Sequence, residues 1–183
     1  FTYDNEDLVA ENFVEGTMIN LFFDPKMDYN GNIKIGEIAD MITDEDNPKW
    51  SSHEDGEWEI ATRSTIGGNT SFYQDDNAPT FRKMFLEACI ESGLEFDDLP
   101  KKDENGCGYS YSFVLQHPEN RLVSIFEKPQ LYLVGVYKMD NKNGKIDEVD
   151  MNTVKNWDGI SNTTVQYVGK YSKIWSSYDS LIE

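Results

Sequence analysis

The stretch YSYSFVLQHPENRLVSIFEKPQLYLVGVYK, residues 109–138, decides the fold class of this chain. It is rich in aromatic and β-branched residues, and a proline-containing turn interrupts it at 117–120. The pattern predicts three strands, at 109–116, 121–127 and 130–138. Strands that follow one another through short turns pair antiparallel, because a parallel pair needs a long crossover connection.

Weaker patterns lie on both sides of this stretch. A helix is predicted from Thr80 to Ser92, because apolar residues recur at helical spacing between Pro79 and Gly93. Shorter helices are predicted from Asp150 to Trp157 and from near Ser176. Further strands are predicted at 17–23, 32–35, 57–62 and 163–168, with loops at 40–56 and 64–79. The fold class expected is α+β, with mainly antiparallel sheets and a few helices.

The charge of the chain restricts its partners. Among 183 residues there are 34 Asp and Glu but only 16 Lys and Arg, which gives a net charge of −18. Nucleic-acid affinity depends on Lys and Arg that displace counterions, so this charge argues against a nucleic-acid partner. No run of 18 apolar residues is present, and no membrane partner is expected. The partners expected are other proteins.

Cysteine usage and the chain ends complete the general description. Cys89 falls in the apolar pattern of the predicted helix and Cys107 in a Gly-Cys-Gly turn, so no disulfide framework is expected. This favours a reducing, intracellular setting. The chain starts without Met and stops inside a predicted helix, and we expect it to be a piece of a longer polypeptide.

Residue spacing alone provides only weak candidate sites. Segments 26–37 and 139–150 imitate a calcium loop, but Lys26 and Met139 stand where the first carboxylate ligand belongs. Asn-Gly hairpins are the favoured interpretation, and a calcium-dependent binding module is the weaker alternative. His53 and His117 have no Cys or His at metal spacing, and Gly67-Gly68 lacks the Lys of a phosphate loop. We expect turns or loops at these positions and no metal site, and a catalytic loop at His117–Arg121 is the less favoured alternative to a turn.

Four segments, taken in order, resemble the adenylation domain of the phage-type RNA ligases. These enzymes belong to the covalent nucleotidyltransferases, with DNA ligases and mRNA capping enzymes. The segments are Glu15–Ile19, Trp58–Ser64, Thr80–Phe85 and Tyr111–Val123, and the similarity covers about residues 8–140. It is most specific at Glu15–Ile19 and Phe113–Val123 and looks closest to relatives from large DNA viruses and phages. The resemblance implies one nucleotidyltransferase-fold domain over residues 1–183, cut before its last motifs.

The chemistry that this resemblance implies has lost two of its groups. In the family, a Lys in a Lys-x-Asp/Glu-Gly motif attacks the α-phosphate of ATP, with help from a metal ion. Alignment on Glu15-Gly16 places Phe13 at the nucleophile position, and Val114 stands where a later strand carries a Glu. The nucleotide-binding residues retained would be Glu15, at the ribose, with Gly16 and Arg63. The family's downstream Glu-Gly and Lys-x-Lys motifs are not found.

The resemblance and its departures lead to two expectations. The first is a domain that has lost self-adenylylation and has a structural or protein-interaction role in a viral or phage assembly, inside the host cell or in the virion. It would need no cofactor, and the apolar Phe13 and Val114 would show a site turned into core. The alternative is a fragment of an ATP-dependent RNA or polynucleotide ligase whose Lys is missing from this chain, with ATP and Mg²⁺ as cofactors.

Overall fold

The computed structural model describes residues 9–25, 56–71, 78–120, 124–140 and 142–172. The predictions for the strand at 32–35, the loop at 40–55, the helix from Ser176, the first calcium-like segment and His53 lie outside these ranges. Among the described residues, no helix combines the length and the apolar character that a membrane crossing requires.

A mostly antiparallel sheet forms the main layer of the described structure. Its strands are β2 (Thr17–Pro25), β3 (Gly56–Ala61), β4 (Gly108–Gln116), β5 (Gln130–Asp140), β6 (Lys145–Glu148) and β7 (Gln166–Tyr167). The order is β3-β2-β4-β5-β6, and β7 runs parallel to β5. A separate antiparallel pair joins β1 (Val9–Glu11) to β8 (Lys170–Ser172). The α+β class with mainly antiparallel strands is therefore confirmed.

The predicted helix is present as α1 (Phe81–Ser92), with capping signals at both ends. The Thr80 hydroxyl accepts the backbone N–H of Lys83 at 3.2 Å, which satisfies one of the free donors of the first turn. Gly93 ends the helix in the left-handed conformation, at φ 71°. Cys89 is buried in the helix, as the sequence predicted.

Helix α1 packs on the central strands β4 and β5 of the sheet. Tyr111, Phe113 and Leu115 alternate along β4 and are fully buried. The rings of Phe85 and Phe113 lie 5.6 Å apart and join the two layers. Strand β4 is hydrogen-bonded to β2 on one side and to β5 on the other. It is therefore the strand around which the core is built.

Several element predictions differ from the structure. Residues 124–127 form no strand, so that part of the predicted strand at 121–127 is wrong, and the backbone of Ser124 bonds to a side chain instead. The helix predicted from Asp150 to Trp157 is two short helices, α2 (Met151–Val154) and α3 (Asp158–Ser161). The break occurs at Trp157, whose backbone is extended. The strand predicted at 163–168 is reduced to β7.

Strand β3 also differs from its prediction, which was a half-buried strand. Gly56, Glu57 and Trp58 are all buried, and alternation begins only after them. A side chain at Gly56 would approach the Asp24 carbonyl oxygen to 2.3 Å, so β2 covers this end of β3 closely. The burial results from this close strand pairing, which the alternation of apolar and polar residues in the sequence does not reveal.

We predict that Gly159→Ala destabilises the domain strongly. A methyl group at this buried position would lie 2.3 Å from the backbone oxygen of Asp98, which cannot move as a side-chain tip could. We expect the free energy of unfolding, measured by urea titration, to fall by about 3 kcal/mol. Gly108→Ala is the matched control, since nothing lies within 4 Å of its added methyl group. Equal stabilities of the two variants would contradict the close approach of α3 to Asp98.

Candidate functional site

The structure brings together two of the positions that the resemblance singles out. A methyl group on Gly16 would lie 2.4 Å from the Leu115 carbonyl oxygen and 2.6 Å from Cγ1 of Val114. The Gly16 backbone, at φ 152°, thus lies directly on β4, where only glycine fits. One residue later β2 begins, and its Met18 stands opposite Val114 in the ladder. Gly16 and Val114 are therefore direct neighbours.

Phe13 and Val114 have opposite environments. Val114 is buried, with 6% of its surface exposed, as expected for a position turned into core. Phe13 is 95% exposed, so the expectation that it too had become core is wrong. It lies in the connection between β1 and β2, where the Asn12 N–H donates to the Gly169 carbonyl at 3.0 Å. Residue 13 is therefore outside both strand ladders, and its phenyl ring projects into solvent.

Glu15 connects this segment to the chain beyond the 117–120 turn. Its carboxylate accepts hydrogen bonds from the backbone N–H of Ser124, at 2.9 Å, and from the Ser124 hydroxyl. The Gln116 side-chain amide donates to the Glu15 carbonyl at 2.9 Å. The carboxylate thus already has partners at the position where the resemblance places a ribose contact. Ser124 was missed by the sequence analysis, because nothing in its local pattern marks it.

The turn at 117–120 is held by buried side chains. His117 Nδ1 accepts the Glu119 N–H, which places the ring proton on Nε2, where it is donated to the Glu87 carboxylate at 2.8 Å. The Asn120 side chain donates to the Thr17 hydroxyl at 2.7 Å. These bonds fasten the turn to α1 and to the start of β2. The prediction of a turn at His117 is confirmed, and its bonding is structural.

Arg63 and the pair Gly67-Gly68 are close in sequence, but they do not form one site with Glu15 and Gly16. Arg63 is exposed in a turn after β3, and no described hydrogen bond or ion pair joins it to Glu15 or Gly16. The Gly68 carbonyl accepts the Arg82 N–H at 2.9 Å, at the start of α1. The Thr70 carbonyl likewise accepts the Phe81 N–H at 2.9 Å, so two N–H groups of this helix start are used by loop carbonyls, which supports the interpretation of Gly67-Gly68 as a loop.

The second calcium-like segment is a hairpin. Its Asn143-Gly144 turn connects β5 to β6, with Gly144 at φ 65°. The Asp140 carboxylate accepts the Asn143 amide at 2.7 Å and the Lys142 N–H at 2.9 Å, and these bonds lower the pKa of Asp140. The prediction of an Asn-Gly hairpin is confirmed here. Within the described ranges, no three His, Cys, Asp or Glu side chains are grouped to hold a metal ion.

A group of carboxylates on β2 and β3 was not found from the sequence. Asp24 stands opposite Glu57 in the ladder, and Glu59 follows on the same face of β3. Burial raises the pKa of Glu59, and the neighbouring Glu57 raises it further, while Arg82 acts in the opposite direction. Burial also raises the pKa of Asp24. Alternating acidic residues on a strand signal a solvated face, and only the strand pairing shows that this face is partly desolvated.

We predict that Glu59→Gln stabilises the domain at pH 7. The folded-state pKa of Glu59 lies above its ordinary value of 4.5, so the ionised carboxylate opposes folding at neutral pH. This opposition disappears as the pH falls through the raised pKa and below 4.5. The variant should therefore unfold at higher urea concentration than the wild type at pH 7, and the difference should shrink towards pH 4.

Glu104→Gln provides the control for this measurement, because Glu104 is exposed in the turn before β4. It removes the same charge from an acidic protein without removing a desolvated group. If both variants gained the same stability with the same pH dependence, net charge alone would account for the effect, and the argument from burial would fail.

Comparison of the chain with family models, with characterised proteins and with solved structures finds no match. The likeness to the RNA ligases therefore rests on the four sequence segments alone. The contact of Gly16 with Val114 is compatible with that likeness, because it joins the two most specific segments.

Proposed function

We propose that this chain is an RNA-ligase-like nucleotidyltransferase domain that has lost self-adenylylation and has a structural or protein-interaction role in a viral or phage assembly. The observation that carries the proposal is the environment of Phe13. The residue at the nucleophile position presents a phenyl ring to solvent, and a phenyl ring cannot form the phosphoramidate bond to AMP.

The surroundings of Phe13 support the loss of chemistry. Val114 places a methyl group against Gly16, where the resemblance implies a carboxylate, so no charge is available there to hold a metal ion. Glu15 is bonded to Ser124, and a ribose hydroxyl would have to compete with those bonds. The Lys and the Glu that the resemblance implies are thus replaced by Phe13 and Val114, and the carboxylate of Glu15 already has hydrogen-bond partners.

Exposed apolar side chains support an interaction role. Phe13 and Ile125, which is 76% exposed, stand close in sequence to the two ends of the Glu15–Ser124 hydrogen bonds. Large aromatic side chains on a surface are typical anchors of protein interfaces, because they bury much area with few rotatable bonds. The net charge of −18 favours a partner with a basic surface.

The alternative function is an ATP-dependent RNA or polynucleotide ligase fragment that lacks its Lys in this chain. The retained Glu15-Gly16 pair and its position against β4 favour this alternative. Such a fragment would use ATP and Mg²⁺. The two functions differ in one respect, which is whether position 13 is the sole defect of the site.

The variant Phe13→Lys tests this difference directly. Incubated with magnesium and ATP labelled on the α-phosphate, the full chain carrying this substitution should retain no label after denaturing electrophoresis. The expected reason is that the added amine does not restore the carboxylate, because Val114 still stands where the resemblance implies one. Label on the variant would instead show that only the nucleophile had been lost and would favour the ligase alternative.

Ile146→Lys is the matched control, because Ile146 is an exposed apolar residue on β6, away from the Gly16–Val114 contact. It introduces the same amine on the same acidic protein. Label on both variants would indicate unspecific modification, and label on Phe13→Lys alone would contradict the proposal.

A further inference from the structure

A cleft of about 660 Å³ opens along the outer edge of β5. It lies between the segment 148–155, which contains α2, and the segment 167–169, which connects β7 to β8. We infer that this cleft binds a basic side chain, Arg or Lys, of the protein partner. The inference rests on the proposed interaction function and names the chemistry of the partner.

The strand topology explains why the cleft exists. Strand β7 pairs with β5 only at Tyr132 and Leu133, and the chain then leaves the main sheet to pair with β1. Strand β6 pairs with β5 only from Tyr137 onward. Between them, Val134 is the extra residue of a β-bulge against β4, and such a bulge redirects the side chain. The open stretch of the β5 edge is therefore short and limited to Val134 and Gly135, because the Val149 N–H already donates to the Val136 carbonyl at 2.8 Å, and Val134 lines the cleft.

The lining combines an apolar surface with acidic groups. Val134, Met151 and Val168 provide half-buried apolar contacts. Glu148 and Asp150 provide two exposed carboxylates on one wall. Asp150 uses its Oδ1 to accept the Asn152 N–H at 3.1 Å, and no described residue bonds to its Oδ2. A long aliphatic stem that ends in a cation matches this combination, because such side chains bury the stem and keep the head at polar groups.

The one cation in the lining does not cancel this character. The Lys155 ammonium lies 4.5 Å from the centre of the Tyr167 ring, an arrangement that satisfies it locally. The lining therefore has two carboxylates and one ammonium group, within a protein of net charge −18. A phosphate-bearing ligand would meet both carboxylates at close range, whereas a guanidinium group would be attracted by them. These charges favour a basic peptide over a nucleotide.

The test is a titration of the full chain, with methyl groups labelled for NMR, using N-acetyl-arginine N-methylamide as the probe. Saturable shifts are expected at the methyl groups of Val134, Met151 and Val168. N-acetyl-norleucine N-methylamide, which has an apolar stem without charge, should bind more weakly, and AMP should not shift these methyl groups. Stronger shifts with AMP than with the arginine probe would overturn the inference.

The double variant Glu148→Gln/Asp150→Asn removes both charges from the cleft. Asn is as good a helix cap as Asp, so α2 should keep its start. Two exposed charge contacts correspond to about a fivefold weaker affinity for the arginine probe. The control Glu91→Gln/Glu104→Gln removes two exposed charges outside the cleft and should leave the affinity unchanged. Equal weakening by both double variants would assign binding to net charge and overturn the inference.

The outcome is separable from that of the adenylylation test. Arginine binding in the cleft, with label on Phe13→Lys, would contradict the proposed loss of chemistry and leave the cleft assignment in place. Absence of arginine binding, with no label on Phe13→Lys, would contradict only the cleft assignment. The two experiments use different residues and different readouts.

Discussion

The backbone of Gly16 lies directly against strand β4, and this close approach is the constraint on which the rest of the structure depends. Any side chain at position 16 would collide with the Leu115 carbonyl and with Val114. Because the approach fixes where β2 begins, it also sets the ladder in which Thr17 stands opposite Leu115. The buried face of β4 can then receive helix α1, with Phe113 against Phe85. One glycine thus links the fold and the candidate site.

The contact of Gly16 with β4 also explains why Val114 and Phe13 have different environments. Val114 fills space beside Gly16 and is part of the packing, so its burial follows from the strand ladder. Phe13 precedes Gly16 in the chain and lies in the connection between β1 and β2, which is held by the Asn12 hydrogen bond to Gly169. The ring of Phe13 does not pack in the core, and an exposed phenyl ring is consistent with a surface that binds another protein. The acidic charge and the cleft beside α2 support the proposed partner with basic side chains.

The parts of the fold that were predicted correctly depend on local signals. Thr80 and Gly93 mark the ends of α1 through a side-chain cap and a left-handed backbone, and β4 is marked by its own aromatic and β-branched residues. Ser124 shows the opposite case, because its hydrogen-bond partner Glu15 is 109 residues away in sequence. A strand was predicted at Ser124, but its backbone N–H bonds to this side chain and not to a neighbouring strand. The raised pKa of Glu59 likewise depends on pairing between β2 and β3.

The candidate site was predictable to a similar extent. The resemblance implied one site containing Glu15, Gly16 and Val114, and in the structure Gly16 lies beside Val114 while Glu15 is bonded to Ser124. The sequence could not indicate the exposure of Phe13, since an apolar residue beside a strand pattern is usually buried. The cleft was also hidden from the sequence, because Val134, Glu148 and Val168 come from three separate segments that only the strand topology brings together.

The proposed loss of covalent chemistry can be tested on the wild-type protein. Mass spectrometry of the intact, denatured wild-type protein, after incubation with ATP and magnesium, tests this claim most directly. We expect an unchanged mass, because the residue at the implied nucleophile position is Phe13, which carries no amine. A mass increased by one adenylyl group, located on a lysine of this chain, would contradict it.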